Sequence, residues 1–243
     1  MTSQSIQRIP LIDLCRGSAI GLMFIYHFCF DLDYFGYFEF NFNHHPFWLS
    51  FRAIIVSLFL SVVGFSLYLA HARGLHQRAY LKRLGLLLGA AALVSLSSYV
   101  MYPKSWISFG ILHFIAAASV LGLLFLRLGY LNLLLGIGII VLTFSYEDPF
   151  FNQTALQWSG LGTRTPHTED YVPIFPWFGV VLIGLFLAWW LLRQQNPPSW
   201  LYWHSTHPAI TTLRFAGRHS LLIYLLHQPV FLGLLYVVTQ LLK

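Results

Sequence analysis

Charged residues are scarce in this sequence. Only 9% of the 243 residues are charged and 57% are hydrophobic, and the mean hydropathy is +0.66. Soluble domains carry roughly 25% charged residues, so the composition excludes an ordinary soluble domain and indicates a polytopic membrane protein. The net charge is +6, but the basic residues cluster between apolar segments, as in cytoplasmic loops, and no nucleic-acid partner is expected.

Cysteine is almost absent, with only Cys15 and Cys29 present. On one helix they would lie about 21 Å apart, which is too far for a disulfide. Neither cysteine belongs to a ligand pattern, and two adjacent histidines, His44 and His45, are too few to define a metal site. We therefore expect no disulfide within the chain and no metal.

Apolar segments of spanning or near-spanning length account for most of the chain. Seven of them stand out, at residues 9–30, 47–71, 81–101, 106–126, 130–145, 173–192 and 213–242. The predicted fold class is all-α: a single transmembrane domain over residues 1–243, folded as a bundle of about seven spans. The longest connection, 145–172, is of a length that is typical either of a loop that covers a site or of disorder.

Lysine and arginine between the segments predict the orientation of the bundle. With the N-terminus in the cytoplasm, eight basic residues lie on the cytoplasmic side and three outside. The positive-inside rule therefore predicts a cytoplasmic N-terminus and an outer C-terminus. The cytoplasmic residues are Arg8, Arg73, Arg78, Lys82, Arg83, Arg127, Arg193 and Arg214, and the outer ones are Lys104, Arg164 and Lys243. The same choice places Asp31 in the first outer loop.

The first segment carries a polar stripe. On a helical wheel with Asp13 at zero, Arg16 and His27 fall within about 60° and Asp31 returns to zero, so all four share one face. Ionisable groups cost several kcal/mol against lipid, so this face should meet protein or water. His27, one turn before Asp31, has the arrangement of a general base oriented by a carboxylate. The alternative is an Asp13–Arg16 pair near the headgroups, with Asp31 merely at the outer interface.

Other segments also contain polar candidates. In the last segment Ser220, Tyr224 and His227 follow at helical spacing, and Arg214, Arg218 and His219 lie near its cytoplasmic start. These three residues could bind a phosphate, or they could serve only as positive-inside anchors. His113 lies in the fourth segment, where a hydrogen-bonded structural histidine is an equally good interpretation. A haem held by His27, His113 and His227 is a weaker alternative.

Five stretches together resemble a known family. They are "IPLIDLCRGSAIGLMFIYHF", "PFWLSFRAIIVSLFLSVVGFSL", "ISFGILHFIAAAS", "FPWFGVVLIG" and "GRHSLLIYLLHQPV". In this order, along nearly the whole chain, they are similar to the membrane acetyltransferases related to heparan-α-glucosaminide N-acetyltransferase, in their bacterial form. The resemblance implies a multi-pass protein of the bacterial plasma membrane that takes acetyl groups from cytoplasmic acetyl-CoA and passes them to an amine, or a hydroxyl, on the outer side.

The resemblance also implies roles for particular residues. The family's catalytic histidine lies in an H-x-x-W arrangement before the second span, and "HPFW" matches it at His45, with His44 beside it. His27 occupies the place of a polar family residue near the outer end of the first helix. The expected catalytic residues are His45, His44, His27 and Asp31. The expected donor-binding residues are Arg16, Arg214, Arg218, His219, His113 and His227.

The expected partners follow from this reaction: acetyl-CoA as co-substrate, an amino-sugar or glycolipid acceptor, the lipid bilayer and, as an option, a second copy of the chain. The competing hypothesis is a proton-coupled transporter or carrier, because buried His, Asp and Arg side chains are also the parts of a proton relay. The sequence shows no inverted repeat of broken helices, the feature that would favour a transporter.

Overall fold

The structure is a computed structural model that describes residues 8–241, and every regular element in that range is a helix. The prediction of an all-α fold is therefore confirmed. The α-helices are α1 Pro10–Tyr34, α2 Pro46–Ala72, α3 Gln77–Met101, α4 Ile111–Leu121, α5 Tyr130–Ser145, α6 Ile174–Leu192, α7 Pro208–Arg218 and α8 Ser220–Leu241. A 3-10 turn, Gly122–Phe125, continues α4.

Five of these helices, α1, α2, α3, α6 and α8, are long and apolar enough to cross a membrane. The predicted fourth and fifth spans correspond to shorter apolar helices, Ile111–Phe125 and Tyr130–Ser145. The protein is thus a multi-pass membrane protein by the length and composition of its helices. The number of seven spans and the orientation of the bundle stay predictions.

The first helix is longer than the sequence predicted. It was expected to end near residue 30, whereas α1 continues to Tyr34. The N–H groups of Phe35 and Gly36 close its last turn on the carbonyls of Asp31 and Asp33, and Gly36 ends the helix at φ 78°. Asp31 is therefore not a loop residue, as the sequence suggested, but a buried helical one with 1% exposure.

The last predicted segment is divided. Residues 213–242 were expected to form one span, but α7 ends at Arg218 and α8 begins at Ser220, with His219 between them at φ −106° and ψ 23°. The sequence of α7, "PAITTLRFAGR", is amphipathic, and its buried residue, Gly217, lies against α1. A hydropathy window that begins at residue 213 merges this short helix with the long apolar helix that follows it.

The fourth segment starts later than predicted. Residues 106–110 are mostly apolar, but Ser95 Oγ donates to the Ile107 carbonyl at 2.7 Å and the Ile107 N–H donates to Ser98 Oγ at 3.0 Å. These side-chain hydrogen bonds satisfy the backbone of Ile107 outside a helix. Helix α4 consequently begins only at Ile111.

The chain forms two compact units. We call Leu60–Pro197 the central unit, and Arg8–Phe59 with Pro198–Lys243 the terminal unit. In the central unit, the long connection between α5 and α6 contains the 3-10 turns Pro149–Asn152 and Thr154–Ser159. The Asp170 carboxylate accepts from the Ile111 N–H at 2.8 Å, at the start of α4. The connection is therefore structured, and the prediction that it covers a site stays a prediction.

A hydroxyl in this connection is also held tightly. The Tyr171 hydroxyl donates to the Gln157 carbonyl at 2.7 Å, and burial raises the pKa of Tyr171 to about 12. Thr168 Oγ1 donates to the Trp106 carbonyl at 2.9 Å. These bonds fix the connection to itself and to the segment before α4.

In the terminal unit, α1 contacts both α7 and α8. An aromatic core fixes the C-terminal half of α1: Phe42 and Trp48 lie 4.3 Å apart between ring centroids, and Tyr26 lies 5.2 Å from Phe42. Met23 and Ile55 complete this cluster of buried side chains. The connection after α1 and the start of α2 are thereby packed against the helix that carries the polar stripe.

Candidate functional site

Polar groups lie near both ends of α1. Asp13 and Asp31 are 4% and 1% exposed, and 18 residues of helix place them about 27 Å apart. This separation is close to the hydrocarbon thickness of a bilayer, about 30 Å. The polar stripe predicted on α1 is thus buried at both ends, and each end meets a different helix of the terminal unit: α7 at Asp13 and α8 at Asp31.

At the first end, one carboxylate faces three guanidiniums. Asp13 pairs with Arg8 at 2.8 Å, with Arg16 at 3.7 Å and with Arg218 of α7 at 3.3 Å. We call these four residues the Asp13 cluster. The pair of Asp13 with Arg16, which the sequence offered as the alternative interpretation, is confirmed. The hydrogen bond to the carboxylate raises the pKa of Arg8. One negative charge against three positive charges leaves a local excess of two positive charges.

The backbones of α1 and α7 touch beside the Asp13 cluster. A Cβ atom at Gly17 would collide with the carbonyl of Leu213, and a Cβ atom at Gly217 would collide with the carbonyl of Asp13. Gly17 and Gly21 form a G-x-x-x-G pair in the sequence, a spacing that lets another helix approach closely, and the structure shows this approach at Gly17. At Gly21 the nearest atom to an added Cβ is Leu213 Cδ2 at 3.8 Å, an ordinary contact.

A concavity on α7 adjoins the Asp13 cluster. It is lined by two hydroxyls, two guanidiniums and one aromatic ring, from Thr211, Thr212, Arg214, Arg218 and Phe215. The Nε atom of Arg214 is buried without a hydrogen-bond partner among the described residues. Guanidinium and hydroxyl donors around an open depression suit a phosphate group. The residues present therefore fit the phosphate-bearing part of a donor such as acetyl-CoA.

At the second end, two histidines meet. His27 of α1 and His227 of α8 have ring centroids 4.8 Å apart at an interplanar angle of 66°. We call them the histidine pair. His27 Nδ1 and His227 Nε2 are each buried without a hydrogen-bond partner within the described residues. The sequence predicted both residues as site candidates and joined them only in the haem alternative, and the structure brings their rings into contact.

The carboxylate beside His27 has a partner of its own. Gln228 Nε2 donates to Asp31 Oδ1 at 3.1 Å, while Asp31 Oδ2 and Gln228 Oε1 lack partners among residues 8–241. The sequence expected Asp31 to orient His27, but the hydrogen bond observed at Asp31 comes from Gln228. Sequence reasoning missed Gln228, although it directly follows His227, the last residue of the polar stripe of α8.

Aromatic rings fix the position of His227. Phe24 stacks on its ring at 5.9 Å and 18°, and Phe231 meets it edge-on at 6.1 Å. Its Nδ1 forms a short hydrogen bond with the backbone carbonyl of Tyr224. His227 is buried, with 6% exposure. Its ring therefore has one defined orientation in the terminal unit.

The predicted catalytic histidines, in the connection between α1 and α2, are arranged differently. His44 and His45 are both exposed, and His45 Nδ1 accepts a hydrogen bond from the Phe47 N–H at 3.3 Å. In a neutral imidazole the other nitrogen then carries the proton, so His45 offers Nε2 as a donor. Trp48, three residues later, packs against Tyr26 of α1 at 5.9 Å.

Two other predicted donor-binding histidines have structural hydrogen bonds. In the central unit, His113 Nδ1 accepts from the Gly110 N–H at 3.3 Å, and its Nε2 lies 3.2 Å from Ser95 Oγ. The interpretation of His113 as a hydrogen-bonded structural histidine therefore has direct support. His219 is exposed, and its Nδ1 lies 3.0 Å from the Phe215 carbonyl. A role in donor binding stays a prediction for both.

Comparison with known proteins places the chain in a family. The family described as heparan-α-glucosaminide N-acetyltransferase, catalytic, matches residues 8–229. This range includes the Asp13 cluster, the histidine pair and the connection between α1 and α2. No curated protein and no solved structure gives a significant match to the chain. No group of three or more His, Cys, Asp or Glu side chains among the described residues could hold a metal ion.

Proposed function

The chain belongs to the catalytic family of heparan-α-glucosaminide N-acetyltransferase, a family of membrane acetyltransferases, and on this premise we propose its reaction. The protein moves an acetyl group from cytoplasmic acetyl-CoA to an amine, or a hydroxyl, of a sugar-type acceptor on the outer side of a bacterial plasma membrane. The observation that carries this proposal is α1 itself. One end of α1 contributes Asp13 and Arg16 to the cationic Asp13 cluster with Arg218 of α7, and the other end contributes His27 to the histidine pair with His227 of α8.

The cationic end would bind the donor. The two hydroxyls and two guanidiniums of the α7 concavity, with Arg16 beside it, offer donors to the phosphates of coenzyme A. The excess positive charge of the Asp13 cluster favours a polyanion there, since Coulomb attraction is stronger near a low-dielectric interior than in water. The pantetheine arm then extends along α1 and brings the thioester towards His27.

The histidine end would carry out the transfer. The acceptor nitrogen attacks the thioester carbonyl, an N–C bond forms, and the C–S bond breaks. His27 takes the proton from the attacking amine and returns it to the leaving thiolate, so the products are the acetylated acceptor and free coenzyme A. A positioned base of this kind contributes about 10²- to 10⁴-fold to the rate.

His45 has a different role in this proposal. Because its Nδ1 already accepts from Phe47, its Nε2–H is suited to hold a hydroxyl of the acceptor at the outer entrance. The resemblance implies instead that His45 is catalytic, which would make it the base; that prediction is untested, and the two assignments differ in their kinetics. Loss of a base lowers kcat, whereas loss of a binding donor raises KM for the acceptor.

The experiment is a transfer assay in proteoliposomes. Purified protein is incubated with radiolabelled acetyl-CoA and a panel of amino sugars and envelope glycolipids, and acetylated product is measured. We expect product with at least one acceptor. Transport of an unmodified solute in the absence of acyl-CoA, with no acetylated product, would contradict the proposal and favour a carrier.

Variants then separate the two histidines. His27→Gln should lower kcat by at least about 100-fold, while the double change His44→Gln and His45→Gln should mainly raise the KM for the acceptor. His167→Gln, an exposed residue of the connection before α6, is the matched control. If His27→Gln keeps the kcat of the wild type and the double variant loses it, the base is His45 or His44 and not His27.

Arg214 allows a test of the donor end. Arg214→Gln should weaken binding of acetyl-CoA by about 10- to 100-fold, the range of a hydrogen bond to a charged group. Binding of the dephospho form, which lacks the 3′-phosphate, should change less if Arg214 meets that phosphate. Arg164→Gln, at an exposed position of the central unit, is the control. Equal affinities of the two arginine variants would remove Arg214 from the donor site.

A further inference from the structure

A backbone carbonyl fixes which nitrogen of His227 carries the proton. The carbonyl of Tyr224 can only accept a hydrogen bond, so the nitrogen that meets it, Nδ1, must be the protonated one. In the neutral ring Nε2 is then an acceptor. This Nε2 is buried and has no donor among the described residues, which is an unfavourable state for a polar atom in an apolar core.

The nearest imidazole has the complementary need. His27 Nδ1 is also buried without a partner, and the two ring centroids are 4.8 Å apart. Rotation of the His27 ring at this separation can bring its Nδ1 to His227 Nε2. If Nδ1 of His27 carries the proton, one hydrogen bond satisfies both atoms.

We propose that His227 is a positioning residue for the acetyl transfer: its Nε2 accepts the Nδ1 proton of His27 and so leaves Nε2 of His27 as the basic nitrogen. The inference rests on the proposed function and adds the group that orients its base. The Tyr224 carbonyl and His227 together then act on His27 as the carboxylate acts on the histidine of a catalytic triad. His227 takes the role that the sequence had given to Asp31, whose Oδ1 is bound by Gln228.

No net charge is formed in the resting state, which suits an apolar surrounding. Both rings are neutral, and the proton that His27 Nε2 takes from the acceptor is returned to the thiolate in the same cycle. His227 stabilises the intervening imidazolium by accepting from its Nδ1–H. The stacked ring of Phe24 and the edge of Phe231 prevent His227 from turning away.

Two replacements of His227 separate positioning from support of the fold. In His227→Asn the amide nitrogen stands where Nδ1 stood, so it can keep the bond to the Tyr224 carbonyl but offers nothing at the place of Nε2. In His227→Gln the amide group reaches the place of Nε2, where its oxygen can accept from His27, but it loses the bond to Tyr224. The proposal predicts that Gln preserves activity better than Asn.

Kinetics give the first measurement. We expect His227→Asn to lower kcat by about 10- to 100-fold, as the loss of a hydrogen-bonded supporting partner does, with the KM for acetyl-CoA unchanged. His227→Gln should recover most of that loss. If Asn retains the wild-type kcat, or if Gln is the more damaged variant while Asn is active, His227 only supports the fold and the inference is wrong.

The second measurement needs no turnover, so it separates failure of the inference from failure of the proposed function. In protein with ¹⁵N-labelled histidine, the signals lost in His227→Asn identify the His227 ring. We expect a protonated Nδ1 and an unprotonated Nε2 at His227, and a protonated Nδ1 at His27. The opposite tautomer at either ring would overturn the inference, whether or not the wild type transfers acetyl groups.

Discussion

Gly17 provides the sharpest stability prediction, because its Cα hydrogen faces the backbone of another helix. An added methyl group at this position would collide with the carbonyl oxygen and carbon of Leu213. Backbone atoms cannot rotate away, so α7 would have to move. Overpacking of this kind costs about 1–3 kcal/mol, against a gain of about 0.5–1 kcal/mol when alanine replaces glycine inside a helix. Because the collision is with backbone atoms, the cost should lie at the upper end of its range, about 3 kcal/mol, and we expect Gly17→Ala to destabilise the protein by about 2 kcal/mol in balance.

Gly21→Ala is the matched control for Gly17→Ala. It lies one turn further along α1, and its added Cβ would meet only Leu213 Cδ2 at 3.8 Å. It should gain the helix propensity of alanine with no collision. Thermal unfolding in detergent should show a Tm lower by about 4–8 °C for Gly17→Ala, at about 2–4 °C per kcal/mol for a chain of this size. The Tm of Gly21→Ala should be unchanged or higher.

Equal stability of these two variants would refute the reasoning, because the helices would then not be in backbone contact at Gly17. A second consequence can be measured separately. Displacement of α7 would lengthen the pair between Arg218 and Asp13, now 3.3 Å. Gly17→Ala should therefore also weaken acetyl-CoA binding, if the donor binds at the Asp13 cluster as proposed.

The remaining predictions concern two groups of the terminal unit, the Asp13 cluster and the aromatic cluster around Phe42. Asp13→Asn should destabilise the protein by about 1–3 kcal/mol, because three guanidiniums lose their carboxylate. The Arg8 side chain is 60% exposed, so Arg8→Gln should cost less than about 1 kcal/mol. Equal losses of stability in the two variants would contradict this account. Phe42→Ala should cost about 3–5 kcal/mol in thermal unfolding, because the ring is 4% exposed beside Trp48. Phe47→Ala, at a position 57% exposed, should have little effect, and a similar loss for both would show that the cluster does not support the fold.

The local pattern of α1 was predictable from sequence because helical periodicity depends only on residues within the helix. Asp13 and His27 share a face wherever the helix lies, and the close approach at Gly17 followed from the size of glycine. The end of α1 was not predictable from hydropathy, since Asp31 and Asp33 resemble loop residues. The end of the helix is set by the N–H groups of Phe35 and Gly36, which donate to the backbone carbonyls of Asp31 and Asp33.

The partners of the polar groups were beyond sequence reasoning. His227 and Gln228 lie about 200 positions from His27 and Asp31 in the chain, and their contact depends on how α8 packs against α1. The break at His219 has a similar origin, because α7 is short and is held by its backbone contact with α1 at Gly217. In each case a contact between distant parts of the chain determines the local structure, and a window of neighbouring residues does not contain both partners of that contact.

The glycine contact between α1 and α7 also determines what can lie beside the arginines. Where the carbonyls of Leu213 and Asp13 lie directly against glycine Cα atoms, no acyl chain of a lipid fits between the two helices. The guanidiniums of Arg16 and Arg218 are thereby shielded from hydrocarbon on that side by main chain alone. A side chain at either glycine would open a gap, and lipid tails would reach the charges.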